Sequence, residues 1–246
     1  MGHVLILFLH PTKELEKLQK QVQKQEQQKA VPKRKKEWYE KFRWFYASEG
    51  FLCLGGRDAT TNEILIKKHM EKSDLVFHTD MAGSPFFLIK NPQNKPISQQ
   101  TKEEVAQTTA SFSRAWKSGM SMLDVFYVNP DQVTKEAKSG EFLGKGSFMV
   151  YGKTTYLHST IELAIAHTKY GIMCASLPAI KAHATSDIFK VSIGREKPSD
   201  CAKLLAKALQ TDDKDEIIRV LPPGPMQIKK HADIRSIDRK HVDQSS

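Results

Sequence analysis

Cysteine is scarce in this chain. There are three in 246 residues, Cys53, Cys174 and Cys201, and no CxxC pair. An odd, scattered set frames neither a disulfide network nor a thiolate zinc site, and it fits a reducing, cytoplasmic compartment. Long apolar runs are missing too. VLILFL at 4–9 is only six residues, shorter than a signal-peptide core and far shorter than a bilayer span, and no basic segment precedes it. It reads as a local packing segment or a consequence of where the chain begins, so no membrane partner is expected. Catalytic signatures are also absent: there is no Gly-x-Ser-x-Gly elbow, no HExxH helix and no plausible carboxylate pair, so neither catalytic residues nor a cofactor are expected. Acidic charge is in short supply. Asp and Glu total 28 against 38 Lys and Arg, a formal net charge of +10. Such an excess favours a polyanionic partner, because each phosphate neutralised releases condensed counterions, although basic proteins without nucleic-acid partners exist. What is present, 39% hydrophobic residues over this length, suffices for one core, or one core with a small appendage.

From Thr12 to Lys41 the composition turns to Lys, Gln and Glu, which predicts a long exposed helix. Leu15, Leu18 and Val22 start a coiled-coil seam, but Gln25 and Lys29 take the next seam positions and the stripe fades. Residues 13–43 hold eleven Lys or Arg against five Asp or Glu. The arm reads either as a solvated helix face or as a phosphate-contacting arm ending in Lys33-Arg34-Lys35-Lys36, with Pro32 breaking the helix where that run starts.

The globular part begins near Trp38. Trp38, Phe42 and Phe45 fall at helical spacing, and Tyr39 and Trp44 lie on a neighbouring stripe, so most of these rings read as core and a base-stacking platform is the rarer outcome. FLCLGG at 51–56 reads as a strand running into a glycine pair that allows positive φ or a close approach. Asp58 or Thr61 then caps a helix over Asn62–Met70, leaving Arg57 at its entrance. LVFHTDMAGSPFFLIKN reads as strand, turn, strand, with His78 and Asp80 on one face; two ligands are too few for a metal site. Thr101–Gly119 reads as a helix with a Thr101/Glu104 capping box and a buried stripe of Val105, Thr109, Phe112 and Trp116, which leaves Arg114 and Lys117 off the stripe. Gly146 to Thr154 looks like a P-loop but carries one residue too many, and Ser147–Tyr151 alternates as a strand. Beyond residue 160, 187–194 reads as a half-buried strand, Ser199–Leu209 as a helix, and LPPGP at 221–225 as a rigid turn before a polar tail.

Three islands, EWYEKFRWFYASEGFLCLGGRDATTN at 37–62, FHTDMAGSP at 77–85 and KGSFMVYGK at 145–153, together with SFSRAWKSG at 111–119, resemble the NFACT-R domain, the RNA-binding module of ribosome quality-control proteins. The resemblance implies RNA-contacting or site-shaping roles for Arg57, Asp58, Asn62, His78, Asp80, Arg114, Lys117, Lys145, Ser147 and Lys153. The chain departs from the pattern at Ala82, where relatives commonly carry a second histidine, and at Thr154 and Thr155, where they carry basic and amide residues. The resemblance also implies rRNA or tRNA on an obstructed large ribosomal subunit as partner, and a separate chain carrying the N-terminal domain if this one is a split or truncated C-terminal half.

The expected architecture is α+β: a mixed β-sheet with helices mainly on one side, preceded by a long N-terminal helix. The expected divisions are an arm at 1–37, the RNA-binding domain at 38–160 and an extension at 161–246. Against an RNA module stand a protein-interaction subunit pairing through the N-terminal helix, and a nucleotide- or metal-dependent enzyme. The last would need Gly152-Lys153-Thr154 in a loop, or a third ligand beside His78 and Asp80.

Overall fold

The computed structural model describes residues 36–136 and 143–231. The expected leucine seam lies outside the described residues, as does the expected polar tail from residue 232 on; its first part, 226–230, is a β-strand and not a tail. The chain divides into two compact units, Met1–Trp38 and Tyr39–Ser246, and everything below concerns the second.

That unit is α+β and built on two principal sheets. The first contains six strands: β1 (Arg43–Tyr46), β2 (Leu52–Gly55), β3 (Leu75–His78), β4 (Phe87–Ile89), β5 (Met122–Val128) and β8 (Thr155–Thr160), in the order β1-β2-β4-β3-β5-β8. The second has four: β9 (Glu162–Thr168), β10 (Gly171–Ala175), β11 (Phe189–Glu196) and β12 (Met226–Lys230), in the order β10-β9-β11-β12. β6 (Val133–Thr134) and β7 (Met149–Val150) form a separate two-stranded ribbon. Five α-helices complete the described unit: α1 (Ala59–His69), α2 (Gln99–Ser111), α3 (Leu177–His183), α4 (Pro198–Ala208) and α5 (Lys214–Val220).

Two expectations about the sheet are corrected. It is not mixed, since every strand pairing among the described residues is antiparallel. β1 and β2, and β9 and β10, are joined by turns too short for the crossover that a parallel pair requires. Nor do the helices lie on one side of a single sheet. α2 packs against β3, β4, β5 and β8 of the first sheet and against β9 and β10 of the second. This double cover explains its composition. Thr101, Thr108, Thr109 and Ser111 are as buried as Val105 and Ala106. Small side chains let both sheets approach, and Thr108 and Thr109 satisfy their hydroxyls on the carbonyls of Glu104 and Val105, at 2.8 Å each.

The start of α2 also differs from expectation. Ser98, not Thr101, is the N-cap and accepts from the Thr101 amide at 3.1 Å. Thr101 and Glu104 reach instead to the β1–β2 turn, where Thr101 Oγ1 donates to Glu49 at 2.6 Å and Glu104 accepts the Ser48 amide at 2.8 Å. A helix that ends at Ser111 leaves Phe112 and Trp116 buried on irregular chain beyond it.

The aromatic run at 38–46 is a 3₁₀ turn followed by β1, not a helix. Tyr39, Phe42, Trp44 and Phe45 are nonetheless core, whereas Trp38, expected with them, is exposed; β1 packs against β10 and the helix α3 as well as pairing with β2. Leu54 and Phe87, fully buried on neighbouring strands, contribute about 1.5–3 kcal/mol each. Between the sheets the chain barely pauses. Ile161 alone separates β8 from β9, and its amide donates to the Ser121 carbonyl at 2.9 Å.

Candidate nucleic-acid interface

The three sequence islands meet at the N-terminal end of α1. Gly55 and Gly56 are required by close approach and not by positive φ: a Cβ on Gly55 would collide with the Phe87 ring, and one on Gly56 with the Asn62 amide. Past this pair Asp58 caps α1, accepting the Thr61 amide at 2.8 Å, while Thr61 Oγ1 receives the Asp58 amide at 2.9 Å. These bonds hold the Asp58 carboxyl below its usual range.

Two residues of α1 bind the other islands. Asn62 is buried and accepts the Phe86 amide at 3.2 Å, which fixes the second island. Glu63 accepts the Gly146 amide at 2.7 Å and pairs with Lys67 at 2.6 Å and Lys135 at 3.0 Å, which fixes the third. With Lys67 and the Gly146 amide as the main causes, its carboxyl is lowered to about 2. Gly146 has a φ of +77°, and a Cβ there would sit 2.6 Å from the backbone of Ala59, so only glycine lets the third island lie on the helix entrance.

The result is an open pocket of about 320 Å³. Of the ten residues singled out in the sequence, Arg57, Asp58, Asn62, His78, Lys145 and Ser147 line it. Ala82, where the sequence departs from the family pattern, lines it as well. His78 ends β3, stacks on Phe86 at 3.9 Å with planes 7° apart, and faces the Pro85 carbonyl through Nδ1 at 3.1 Å. A carbonyl only accepts, so Nδ1 carries the proton and Nε2 is left as an acceptor. Burial is the main cause that pushes this imidazole below its ordinary value, and the ring is neutral at pH 7.

Arg57 is at the site, but its guanidinium is committed. It donates to the Lys41 carbonyl at 3.2 Å, the Phe42 carbonyl at 2.8 Å and the Arg219 carbonyl at 2.6 Å. Burial first, then the nearby Arg219 charge, lower its pKa to about 10. The side chain ties β1 and its approach to α5.

Four of the ten lie elsewhere. β3 ends at His78, so Asp80 does not share a strand face with it; Asp80 is exposed and accepts the Tyr156 hydroxyl at 3.0 Å. Arg114 stands at the rim, its guanidinium 3.8 Å from where a Gly83 Cβ would be. Lys117 lies against Gly224. Lys153 is exposed just before β8, and its carbonyl accepts from Gln132 at 3.0 Å. Among the described residues no group of three His, Cys, Asp or Glu could hold a metal ion. The P-loop alternative meets committed amides: that of Gly146 is held by Glu63 and that of Tyr151 by the Gln132 carbonyl.

One lining residue escaped sequence reading. Arg43, in β1, lines the pocket with its guanidinium carbon 4.1 Å from the Phe112 ring centroid. Its Nη1 is buried with no hydrogen-bond partner among the described residues. Burial, then the Arg57 charge, lower its pKa to about 9. The one available signal was a cation inside an aromatic run, Lys-Phe-Arg-Trp-Phe-Tyr, and reading that run as a helix hid which way Arg43 faces.

Domain architecture and site define an α+β unit whose signature loops converge on a cationic pocket. Residues 41–152 match the family described as NFACT protein RNA binding domain. It is 39% identical over 211 residues to the archaeal Rqc2 homolog aRqcH of Methanocaldococcus jannaschii, covering 83% of this chain and 31% of that protein. It is 40% identical over 124 residues to the ribosome quality control complex subunit NEMF of Homo sapiens, covering 50% of this chain and 11% of that protein. The chain thus spans about a third or less of the relatives it matches. A solved structure of the C-terminal part of the fibronectin/fibrinogen-binding protein from Streptococcus suis covers 59% of this chain and 55% of its own at 22% identity and a TM-score of 0.41. Among the described residues no helix is long and apolar enough to cross a membrane.

Proposed function

We propose that this chain is an RNA-binding module of the ribosome quality-control type, acting by binding and not by catalysis, without a cofactor. Its RNA is rRNA or tRNA on an obstructed large ribosomal subunit, and its location is cytoplasmic. The observation that carries the reading is the convergence of all three family islands on one pocket lined by Arg43, Arg57 and Lys145. The name of the human relative, a ribosome quality control complex subunit, supports the choice of ribosome.

The test is binding of the full chain to large ribosomal subunits, free tRNA and duplex DNA across a salt series, comparing wild type with Lys145→Ala and Lys153→Ala. Both lysines are exposed, so these variants keep the fold. Subunit or tRNA binding should exceed DNA binding, and loss of one phosphate contact should reduce the salt slope by about 0.7–0.9. Equal, weak binding to all three, insensitive to either substitution, would reject the reading and direct attention to a protein partner for the N-terminal arm.

A further inference from the structure

The pocket has an imbalance that the fold does not resolve. Arg43, Arg57 and Lys145 line it against a single carboxylate, Asp58, whose Oδ1 is committed to the Thr61 amide and hydroxyl. Arg57 is occupied by three carbonyls. Arg43 is not: its Nη1 is buried without a hydrogen-bond partner among the described residues, in a side chain that rests on Phe112. A guanidinium removed from water and left with an open N–H is costly unless an anion completes it. The entrance of α1, with Asp58 and Ala59 in the pocket wall, favours negative charge at the same place.

The cavity is larger than a phosphate group needs. At about 320 Å³ it lies at the low end of small-molecule sites. Part of its remaining wall is aromatic: His78 stacked on Phe86, and Phe148 edge-on to Phe86 at 5.6 Å. The unprotonated Nε2 of His78 adds one acceptor, suited to an amino or imino N–H of a base. Cations beside flat apolar rings and one fixed acceptor are the means by which proteins hold a base drawn out of a single strand.

We infer that the pocket takes one nucleotide splayed out of the bound RNA, its phosphate toward Arg43 and Lys145 and its base against the His78–Phe86 wall. This rests on the RNA-binding reading above and names the part of the RNA that this site holds. Arg43 is its central anion-binding residue.

The experiment uses the full chain, with the four nucleoside 5′-monophosphates, the matching nucleosides, inorganic phosphate and a single-stranded RNA decamer as probes. The His78 ring resonances report occupancy of the pocket, and a separate binding titration reports affinity for the decamer. At least one monophosphate and the decamer should shift His78, with the nucleoside and phosphate alone binding more weakly. Arg43→Met, which keeps the stem and removes the charge, should weaken both by about ten-fold or more. Should that variant fail to fold, Lys145→Gln at the exposed rim should weaken both in the same sense. If the decamer binds tightly but neither it nor any monophosphate moves His78, the pocket assignment is overturned while the RNA reading stands. If a monophosphate binds in the Arg43-dependent way but the decamer does not bind, the RNA reading fails and the site belongs to a free nucleotide.

Discussion

Arg57 is bound up in the fold, and Arg43, which the sequence did not single out, is the arginine with an unpartnered buried nitrogen among the described residues. Arg57 stands in the family signature, yet its three bonds to the carbonyls of Lys41, Phe42 and Arg219 make it a clamp. Arg57→Ala should destabilise the domain by about 3 kcal/mol, read in urea denaturation. Arg57→Lys should recover little of this, because a point-charge ammonium cannot address three carbonyls at once. His78 has a different signature. Its pKa is lowered from 6.5, chiefly by burial, so just below pH 6.5 the unfolded chain binds a proton that the folded one refuses. Its contribution to stability is therefore complete above that pH and is lost as pH falls below it. His69, lowered mainly by burial as well, adds to the same slope. Melting temperature measured from pH 7.5 to 5 should decline, and His78→Gln should flatten part of the decline. The sequence made the placement of Asp58, Asn62 and His78 legible because a cap, a helix position and a strand end are set locally; the bond from the Phe86 amide to Asn62 was not legible. It could not reveal that Arg57 bonds a carbonyl 162 residues away, nor that Arg43 is buried, since both depend on which distant surfaces close over them.

Strand and helix identity came through the sequence pattern wherever one face met one neighbour. β2, β3, β4 and β11 were readable from alternation and glycine, and α1 from its cap. α2 was readable as a helix but not in its ends, because burial against both sheets removes the polar face that marks amphipathic periodicity, and Thr101 and Glu104 were drawn to Glu49 and Ser48 instead of forming a box. β12, Met-Gln-Ile-Lys-Lys at 226–230, reads as tail because only its pairing with β11 gives it shape. The observed cap has a measurable consequence. Ser98→Ala should cost about 1 kcal/mol in thermal or urea unfolding, whereas a Thr101 cap would have left that change nearly silent.

At the scale of the whole unit, the two sheets share α2, and Arg57 links β1's approach to α5. Such sharing predicts a single cooperative transition: native-state hydrogen exchange should give the same opening free energy for the central amides of β2 and of β9. Two separable values would mean that the sheets are independent. The crossing at Ile161, where one strand leaves the first sheet and the next enters the second, has a further consequence during synthesis. The ribosome releases the chain from its N-terminus, so β1 to β5 and α2 leave the exit tunnel first. At that stage α2 still lacks the cover of β9 and β10, and Arg57 lacks the carbonyl of Arg219. The signature loops that build the pocket are therefore made early and secured late, once α5 and its Arg219 carbonyl have emerged.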